Sequence, residues 1–476
     1  VKPVWGKITA REINAAVAGV WVKGRPDTVF QGLSTDSRTV KPGEVFWALK
    51  GDRYDGHDFV RQAADRGVAG VVVDQGFVRT QAPEAMMAEG KPPVVMAVAD
   101  TLKALGDLAR WWRHGHSLRV VAVTGSAGKT TTKEMIGSIL DQSHGTLRNP
   151  GNFNNLIGLP LSLLSAGPEH RVAVLEMGMN RRGEIGRLTE IADPDVGVIT
   201  NVGRAHLEGL GDIRNVARAK AEMVERISAG ATVVVNGDDP LLIEAASRFR
   251  QDFVTFGLGG ENKVRAADIV SHGSAGVSFN LHGGGGIWPV RLRVHGRHNV
   301  MNALAAAAAG FAMGGSPAQV VEGLTRFRGV KGRFTLIELK NGVTLVDDTY
   351  NANPDALRAA LNAVAEIAGR EGRVILGIGE MLELGEQTEA AHREAGRAAA
   401  QSGANRLLAM GAHASLVVEA AVEAGMRRAQ AEVVRDHSHM AARIMEEVKA
   451  GDVVLVKGSR RMALDKVVES LVRLSA

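Results

Sequence analysis

Short, dense apolar runs bounded by Gly, Pro or Asp recur along the chain, with stretches of helical period between them. Residues 46–49, 70–73 and 94–98 are such runs, each predicting a buried strand, and 57–66 predicts a helix between the first two. They form an α/β module that ends near 105–113. A second series begins at 118–123 and continues at 172–175, 196–200 and 232–235, with helical stretches at 130–140, 182–191 and 213–227. Alternation at this spacing predicts a parallel, doubly wound sheet. The pattern changes over 250–295, where short runs at 253–256, 264–270, 277–281 and 290–294 surround His282-Gly283-Gly284-Gly285-Gly286. That glycine turn predicts a hairpin and antiparallel pairing in this part. A helix over 299–313 follows. Past Arg328-Gly329-Val330-Lys331-Gly332 a third series places strands at 334–339, 344–347, 374–378, 406–410 and 453–457, again with helices between them.

Length divides the same way. A chain of 476 residues exceeds what one core supports, and the breaks in pattern predict domains at 1–114, 115–328 and 329–476. Hydrophobic residues at 45% and charged residues at 23% exclude a disordered chain. The absence of cysteine excludes disulfides, thiolate zinc sites and a cysteine nucleophile, and fits a reducing compartment. Aromatics are 4%, too few for a platform that stacks single-stranded nucleic acid. The net charge is +5, from 57 basic against 52 acidic residues, without a run of like charge that would mark a nucleic-acid arm. A mildly basic surface suits a polyanionic small substrate. Residues 1–10 lack an apolar signal core, and no stretch of about 18 apolar residues occurs. The expectation is a cytoplasmic protein with no membrane span and no nucleic-acid partner.

Thr124-Gly125-Ser126-Ala127-Gly128-Lys129-Thr130-Thr131 carries the strongest chemical signal. It follows a predicted buried strand and opens a predicted helix, the setting a phosphate loop requires. Glycines let backbone amides turn toward phosphate oxygens, and the helix N-terminus adds its positive end. Lys129 can reach the β- and γ-phosphates, and the hydroxyl of Thr130 or Thr131 can ligate Mg²⁺. Val123 stands where longer phosphate loops have a first Gly, so this is the shorter form. A glycine turn entering a helix is the bland alternative; strand, loop, Lys and two Thr in this order weigh against it.

Glu176 ends one predicted strand and His206 follows the next, at the edge where ligands of a parallel sheet gather. Either alone reads as a cap or an ion pair. Together, beside a phosphate loop, they suit a divalent cation near a triphosphate. Lys220, in Ala219-Lys220-Ala221-Glu222, reads by itself as a solvated helix lysine. Asn152, Asn154 and Asn155 make 151–158 rich in amides that can bind sugar or peptide, or simply a turn-rich loop.

Taken in order, Thr-Gly-x-x-Gly-Lys-Thr-Thr, Gly-Asn-x-Asn-Asn, Glu-x-Gly-x-Asn, His-Leu-Glu and Ala-Lys-x-Glu resemble the Mur ligase family. Gly296-Arg297-His298-Asn299-Val300-Met301-Asn302 resembles its adenine-side motif. Asp347-Asp348-Thr349-Tyr350-Asn351-Ala352-Asn353-Pro354 is similar to the Asp-Asp-Ser-Tyr-Asn-Ala-Asn-Pro signature of one branch, with Thr349 in place of Ser. Gly379-Glu380-Met381-Leu382-Glu383-Leu384-Gly385 and Lys457-Gly458-Ser459-Arg460 also match that branch.

The resemblance implies three domains: a smaller N-terminal α/β domain, a central doubly wound, mostly parallel P-loop domain and a C-terminal Rossmann-like domain. It implies an ATP-dependent ligase that joins D-alanyl-D-alanine to UDP-N-acetylmuramoyl-tripeptide through an acyl phosphate, as a bacterial cytoplasmic monomer making the pentapeptide precursor of peptidoglycan. Gly125, Ser126, Ala127, Gly128, Lys129, Thr130 and Thr131 would cradle ATP, with Asn299, Asn302, Arg333 and Asp348 at its adenosine end. Two Mg²⁺ are implied, held by Thr130, Thr131, Glu176, His206 and a carbamylated Lys220. Lys129, Glu176, His206 and Lys220 would be catalytic. Ser34, Asp36, Ser37, Arg38, Lys50 and His57 resemble the uridine-diphosphate segments. Asn152, Asn154, Asn155, Tyr350, Asn351, Asn353 and Arg460 would contact the peptide substrates. Closure of the third domain over the second is expected, to exclude water from the acyl phosphate. A third-residue ligase of the family is the alternative, although it would carry an Asp-Asn-Pro motif where Asn351-Ala352-Asn353-Pro354 stands. Folylpolyglutamate synthase lacks the UDP-like segments, and a nucleotide-dependent switch needs no third substrate domain.

Overall fold

The computed structural model describes residues 4–51, 54–80, 93–369 and 372–475. Three sheets follow one another along the chain. The first has six strands in the order Val4–Thr9, Val29–Ser34, Glu44–Trp47, Gly70–Asp74, Val94–Val98 and Val20–Lys23. Its four inner strands are parallel, and the two outer ones run antiparallel to them. The predicted strands of this domain are the fully buried ones. Val20–Lys23 and Val29–Ser34 escape the pattern because exposed and buried positions mix along them. The helix predicted over 57–66 is two pieces. A 3-10 turn over Gly56–Phe59 is set by the Asp55 carboxylate accepting from His57 N, and an α-helix over Val60–Asp65 follows.

Helix Thr101–Gly115, capped by Asp100, joins the first and second domains. Trp112 Nε1 donates to Ala166 O and Trp5 Nε1 to Leu164 O, so two indoles from the N-terminal side close onto the central domain. One apolar core passes through this contact without a break.

The central sheet has nine strands, and Arg119–Thr124 lies between Val172–Glu176 and Val196–Ile199. The chain therefore turns to opposite sides after this strand, which opens a crevice at its carboxyl end. Antiparallel pairing begins later than the sequence pattern predicts. Val254–Gly257 pairs parallel with both Thr232–Asn236 and Val264–Ser271, and only Val277–Gly283 and Gly286–Leu292 reverse direction. The short apolar run before a glycine-rich turn reads like a hairpin arm in sequence. The real hairpin turns at Gly284 and Gly285, both with positive φ, as a two-residue turn that twists with its strands requires. Helix Arg297–Ala312 buries an unbroken run over 303–309, alanine at every position but Leu304. Small side chains let it lie close against helix Lys129–Leu140.

The third sheet runs Thr335–Glu338, Thr344–Asp348, Val453–Lys457, Val374–Gly379, Arg406–Met410 and Ala431–Val433, parallel except for its first pair. The fold class is the one expected: three α/β domains with a doubly wound central sheet. Among the described residues, no helix is long and apolar enough to cross a membrane.

Candidate active site

A cavity of about 1210 Å³ opens at the carboxyl end of the central sheet and is roofed by the third domain. The phosphate loop forms its floor. Gly125 and Gly128 have φ of +150° and +80°, and a Cβ on them would run into Thr200 Oγ1 and Asn302 Oδ1 respectively. Glycine is needed at both for backbone angle and for space. Lys129 Nζ donates to Gly125 O at 2.9 Å, and burial lowers its pKa against the pull of Glu176. Ser126 N donates to Asn201 O and Ala127 N to Asn201 Oδ1. Those two amides therefore shape the loop, and the N-terminal amides of helix Lys129–Leu140 are left to face an anion.

Thr130 Oγ1 donates to Glu176 Oε2 at 2.7 Å and accepts from Arg333 Nη2 at 3.0 Å. Asn154 Nδ2 holds the other carboxylate oxygen, Oε1, at 2.8 Å. Thr131, Asn152 and Asn155 border the same cavity, and Asn155 Oδ1 also accepts from Gly158 N. His206 borders it from the opposite strand end, at a left-handed φ of 58°. Its Nδ1 lies 3.0 Å from Glu383 Oε2 of the third domain. Burial lowers the His206 pKa, opposed by Glu383. Oxygen donors from Thr130 and Glu176 with an imidazole nearby suit a hard divalent cation. His206 Nδ1 is also a buried polar atom without an aligned hydrogen bond, as at a site organised for more than packing.

Lys220 is 1% exposed on helix Ile213–Arg226. Burial, reinforced by Lys129, pushes its pKa well below that of a free lysine. The solvated-lysine reading is overturned.

Asn299 and Asn302 are buried and joined, with Asn302 Nδ2 donating to Asn299 Oδ1 and Asn299 Nδ2 to His295 O. Arg333 stacks on Tyr350, 3.8 Å from the ring centroid, and Arg460 lies on the same ring at 5.9 Å. Asp348 accepts from Phe334 N and forms a buried pair with Lys457 at 2.6 Å. Lys457 Nζ also donates to Asn351 O. Thr349 Oγ1 donates to Asp347 Oδ1, so the hydroxyl shared with Ser does the work at that position. Asn353 borders the cavity, but its side chain caps helix Pro354–Ala368 by accepting from Ala356 N.

Leu102, at the start of helix Thr101–Gly115, borders this cavity, but none of the residues expected at the UDP end does. Ser34 Oγ bonds the backbone of Asp36, Ser37 Oγ donates to Gln62, and Arg38 pairs with Asp36 at 2.9 Å. Lys50 is exposed in a bridge with Asp55, while Asp52 and Arg53 of the same segment lie outside the described residues. His57 has both ring nitrogens engaged, by Asp55 and by Asp74 N. It orders the turn instead of offering a free nitrogen.

Several site residues carry no motif signal. Asn149 is fully buried and brackets Glu176 by exchanging bonds with its backbone N and O. Lys133 donates to Asn149 O at 2.6 Å. It sits four residues after Lys129, on the same helix face, and that spacing is the signal that points to it. Arg204 crosses to the third domain, pairing with Asp355 at 2.9 Å and Glu394 at 2.6 Å, and these carboxylates raise its pKa.

Burial pushes His298, at the cavity wall, down to about 4. An unfolded histidine titrates near 6.5, so the unfolded chain binds this proton first as pH falls. Stability is expected to drop between pH 6.5 and 4 by roughly 3 kcal/mol through this group. Urea melts of wild type and His298→Gln should differ most in that window, the variant losing less.

Residues 29–113 match the Mur ligase family catalytic domain, 123–310 the Mur ligase middle domain, and 332–460 the Mur ligase glutamate ligase domain. The UDP-N-acetylmuramoyl-tripeptide–D-alanyl-D-alanine ligase of Bacillus subtilis is 35% identical over 467 residues, 98% of each chain. Its namesake from Escherichia coli is 35% identical over 448 residues, 94% of each chain. A crystal structure of MurF from Acinetobacter baumannii superposes with a TM-score of 0.87 at 33% identity, covering 99% of this chain and 100% of that one. MurF from Thermotoga maritima in complex with ADP gives 0.80 at 30% identity, covering 93% and 97%. Similarity of this extent, over all three domains, makes the chain a member of the Mur ligase family.

Proposed function

We propose that this ligase joins D-alanyl-D-alanine to UDP-N-acetylmuramoyl-tripeptide at the expense of ATP. The observation that carries the reading is the meeting, in one cavity, of the phosphate loop with the Tyr350, Asn351 and Arg460 cluster of the third domain. Relatives similar over 94–98% of the chain are named for that reaction.

The domains divide the work as 1–114 for the UDP end, 115–328 for ATP and 329–476 for the dipeptide. Ser34, Asp36, Ser37, Arg38 and Lys50 line the UDP segment, and His57 holds its turn. The substrate carboxylate oxygen attacks the γ-phosphorus of ATP, the bond to the β–γ bridging oxygen breaks, and ADP leaves. The dipeptide amine then attacks the acyl carbon, phosphate leaves, and the amine gives up a proton. Two anions meet in the first step, so cations must stand between them. Lys129 and Arg333 supply fixed positive charge there, and Asn154 orients Glu176. Asn299, Asn302 and Asp348 border the adenosine end. Thr130, Glu176, His206 and carbamylated Lys220 would hold two Mg²⁺, which neutralise phosphate charge when bound. Asn152, Asn155, Asn351 and Arg460 offer amides and a guanidinium to the peptide ends, and Asn353 fixes the helix behind them. The setting is the bacterial cytoplasm, and the working unit is a monomer.

With ATP, Mg²⁺ and bicarbonate, the UDP-linked tripeptide and D-alanyl-D-alanine should give the pentapeptide by mass spectrometry, and single amino acids should give none. ATP turnover that ignores both peptide substrates would overturn the reading.

A further inference from the structure

The third domain places a carboxylate against His206 that neither the phosphate loop nor the dipeptide cluster uses. Glu383 Oε2 is 3.0 Å from His206 Nδ1. The contact is built from both sides. His206 and Glu383 hold left-handed φ of 58° and 65°, a conformation rare outside glycine that persists where surrounding structure imposes it. Glu208 N donates to Glu383 O across the domain boundary at 3.2 Å. Two residues on, Gly385 has φ +55°, and a Cβ there would come within 3.2 Å of Glu208 Cα. The loop over 383–385 therefore fits flush against 206–208 only in this backbone shape.

An imidazole that binds a metal through one nitrogen commonly gives the other N–H to a carboxylate, which fixes the ring and makes it a better donor. With Nδ1 turned to Glu383, Nε2 is the nitrogen left for the cavity that His206 borders. We propose that Glu383 is a positioning residue. The third domain carries it to His206, where it orients the ring toward the cation, so that metal affinity rises as the domains come together. The proposal rests on the reading that His206 is a metal ligand.

The geometry also gives a way to separate orientation from mere clamping. Arg204 clamps the same two domains through Asp355 and Glu394 without touching His206. Removing it weakens closure and leaves the Glu383 carboxylate intact, whereas Glu383→Gln keeps shape and removes the anion.

The test uses the full enzyme with a non-hydrolysable ATP analogue and Mn²⁺ as the probe. Affinity is read from free Mn²⁺ by electron paramagnetic resonance, imidazole coordination from ¹⁴N spin-echo modulation, and closure from X-ray scattering. Glu383→Gln is expected to weaken Mn²⁺ by about tenfold or more and to diminish the ¹⁴N modulation, with unchanged scattering. Arg204→Ala is expected to enlarge the particle and weaken Mn²⁺ with it. His206→Ala is the reference. If it abolishes the modulation while Glu383→Gln binds and couples Mn²⁺ like wild type, the role of Glu383 is overturned and the metal role of His206 stands. If His206→Ala itself matches wild type, the underlying metal reading fails and the proposal goes with it.

Discussion

Replacing Lys129 with alanine is expected to lower turnover by about 10³-fold or more while leaving the fold intact. The ammonium is the fixed cation nearest the loop, held back to Gly125 O at 2.9 Å and partly desolvated. A preorganised charge in such a place acts most on the phosphoryl transition state, where negative charge spreads over the transferring group. Removing one oriented donor of this kind costs about 10² to 10³ in rate, and here a full charge goes with it. The loss should fall mainly on kcat, because the helix N-terminal amides still hold the phosphates. Thermal melting should be unchanged or slightly higher, since a desolvated lysine is a burden to the folded state. Coupled ADP release against ATP concentration, with a melting curve beside it, measures both. Turnover within tenfold of wild type would remove Lys129 from the chemistry.

Lys220→Ala is expected to reduce turnover by about 10²- to 10³-fold, with partial recovery on adding short-chain carboxylic acids. The argument starts from burial. Burial of a lysine that is 1% exposed, with Lys129 adding to it, pushes its pKa well below that of a free lysine and so favours the neutral amine more than at other lysines. Only the neutral amine can attack carbon dioxide. A new N–C bond would form there as the amine releases a proton, leaving a carbamate anion. That anion would be a metal ligand of carboxylate type, and a diffusible carboxylate could stand in for it in the space left by alanine. Melting should again be unchanged or raised, because the variant no longer buries an amine. Mass spectrometry cannot be the readout, since carbamates decompose on acidification; activity with and without added carboxylate is. Full activity in the alanine variant would end the metal role for this residue.

Motif order made much of the site legible before any geometry. The phosphate loop and Glu176 meet because the strands that lead to them are buried, parallel and end at one edge, whereas Asn154, expected at the peptide, is instead held by the Glu176 carboxylate. The third-domain segment 347–354 was legible only through its resemblance to the signature of one branch of the family. What pattern reading mistook is instructive. Asn353 lies in the most distinctive segment, yet its side chain caps a helix. His57 looked available and is bound at both nitrogens. A sequence shows which residue types are present; it does not show which of their atoms the backbone has already taken. Asn149 went unnoticed for the opposite reason, since a buried amide has no pattern of its own until it closes on Glu176, and Lys133 offered only its spacing of four from Lys129 before it closed on Asn149.

By itself, then, the sequence determined the three α/β domains, the phosphate loop and the order of the chemical groups. Those depend on short-range periodicity and on residues a few positions apart. Only the tertiary structure decided that the helix lysine Lys220 is buried, that Arg333 reaches Thr130, and that Glu383 and Arg204 join one domain to the next. These contacts link residues 10² or more positions apart along the chain. Desolvation and long-range ion pairing depend on distance in space, which local pattern does not encode.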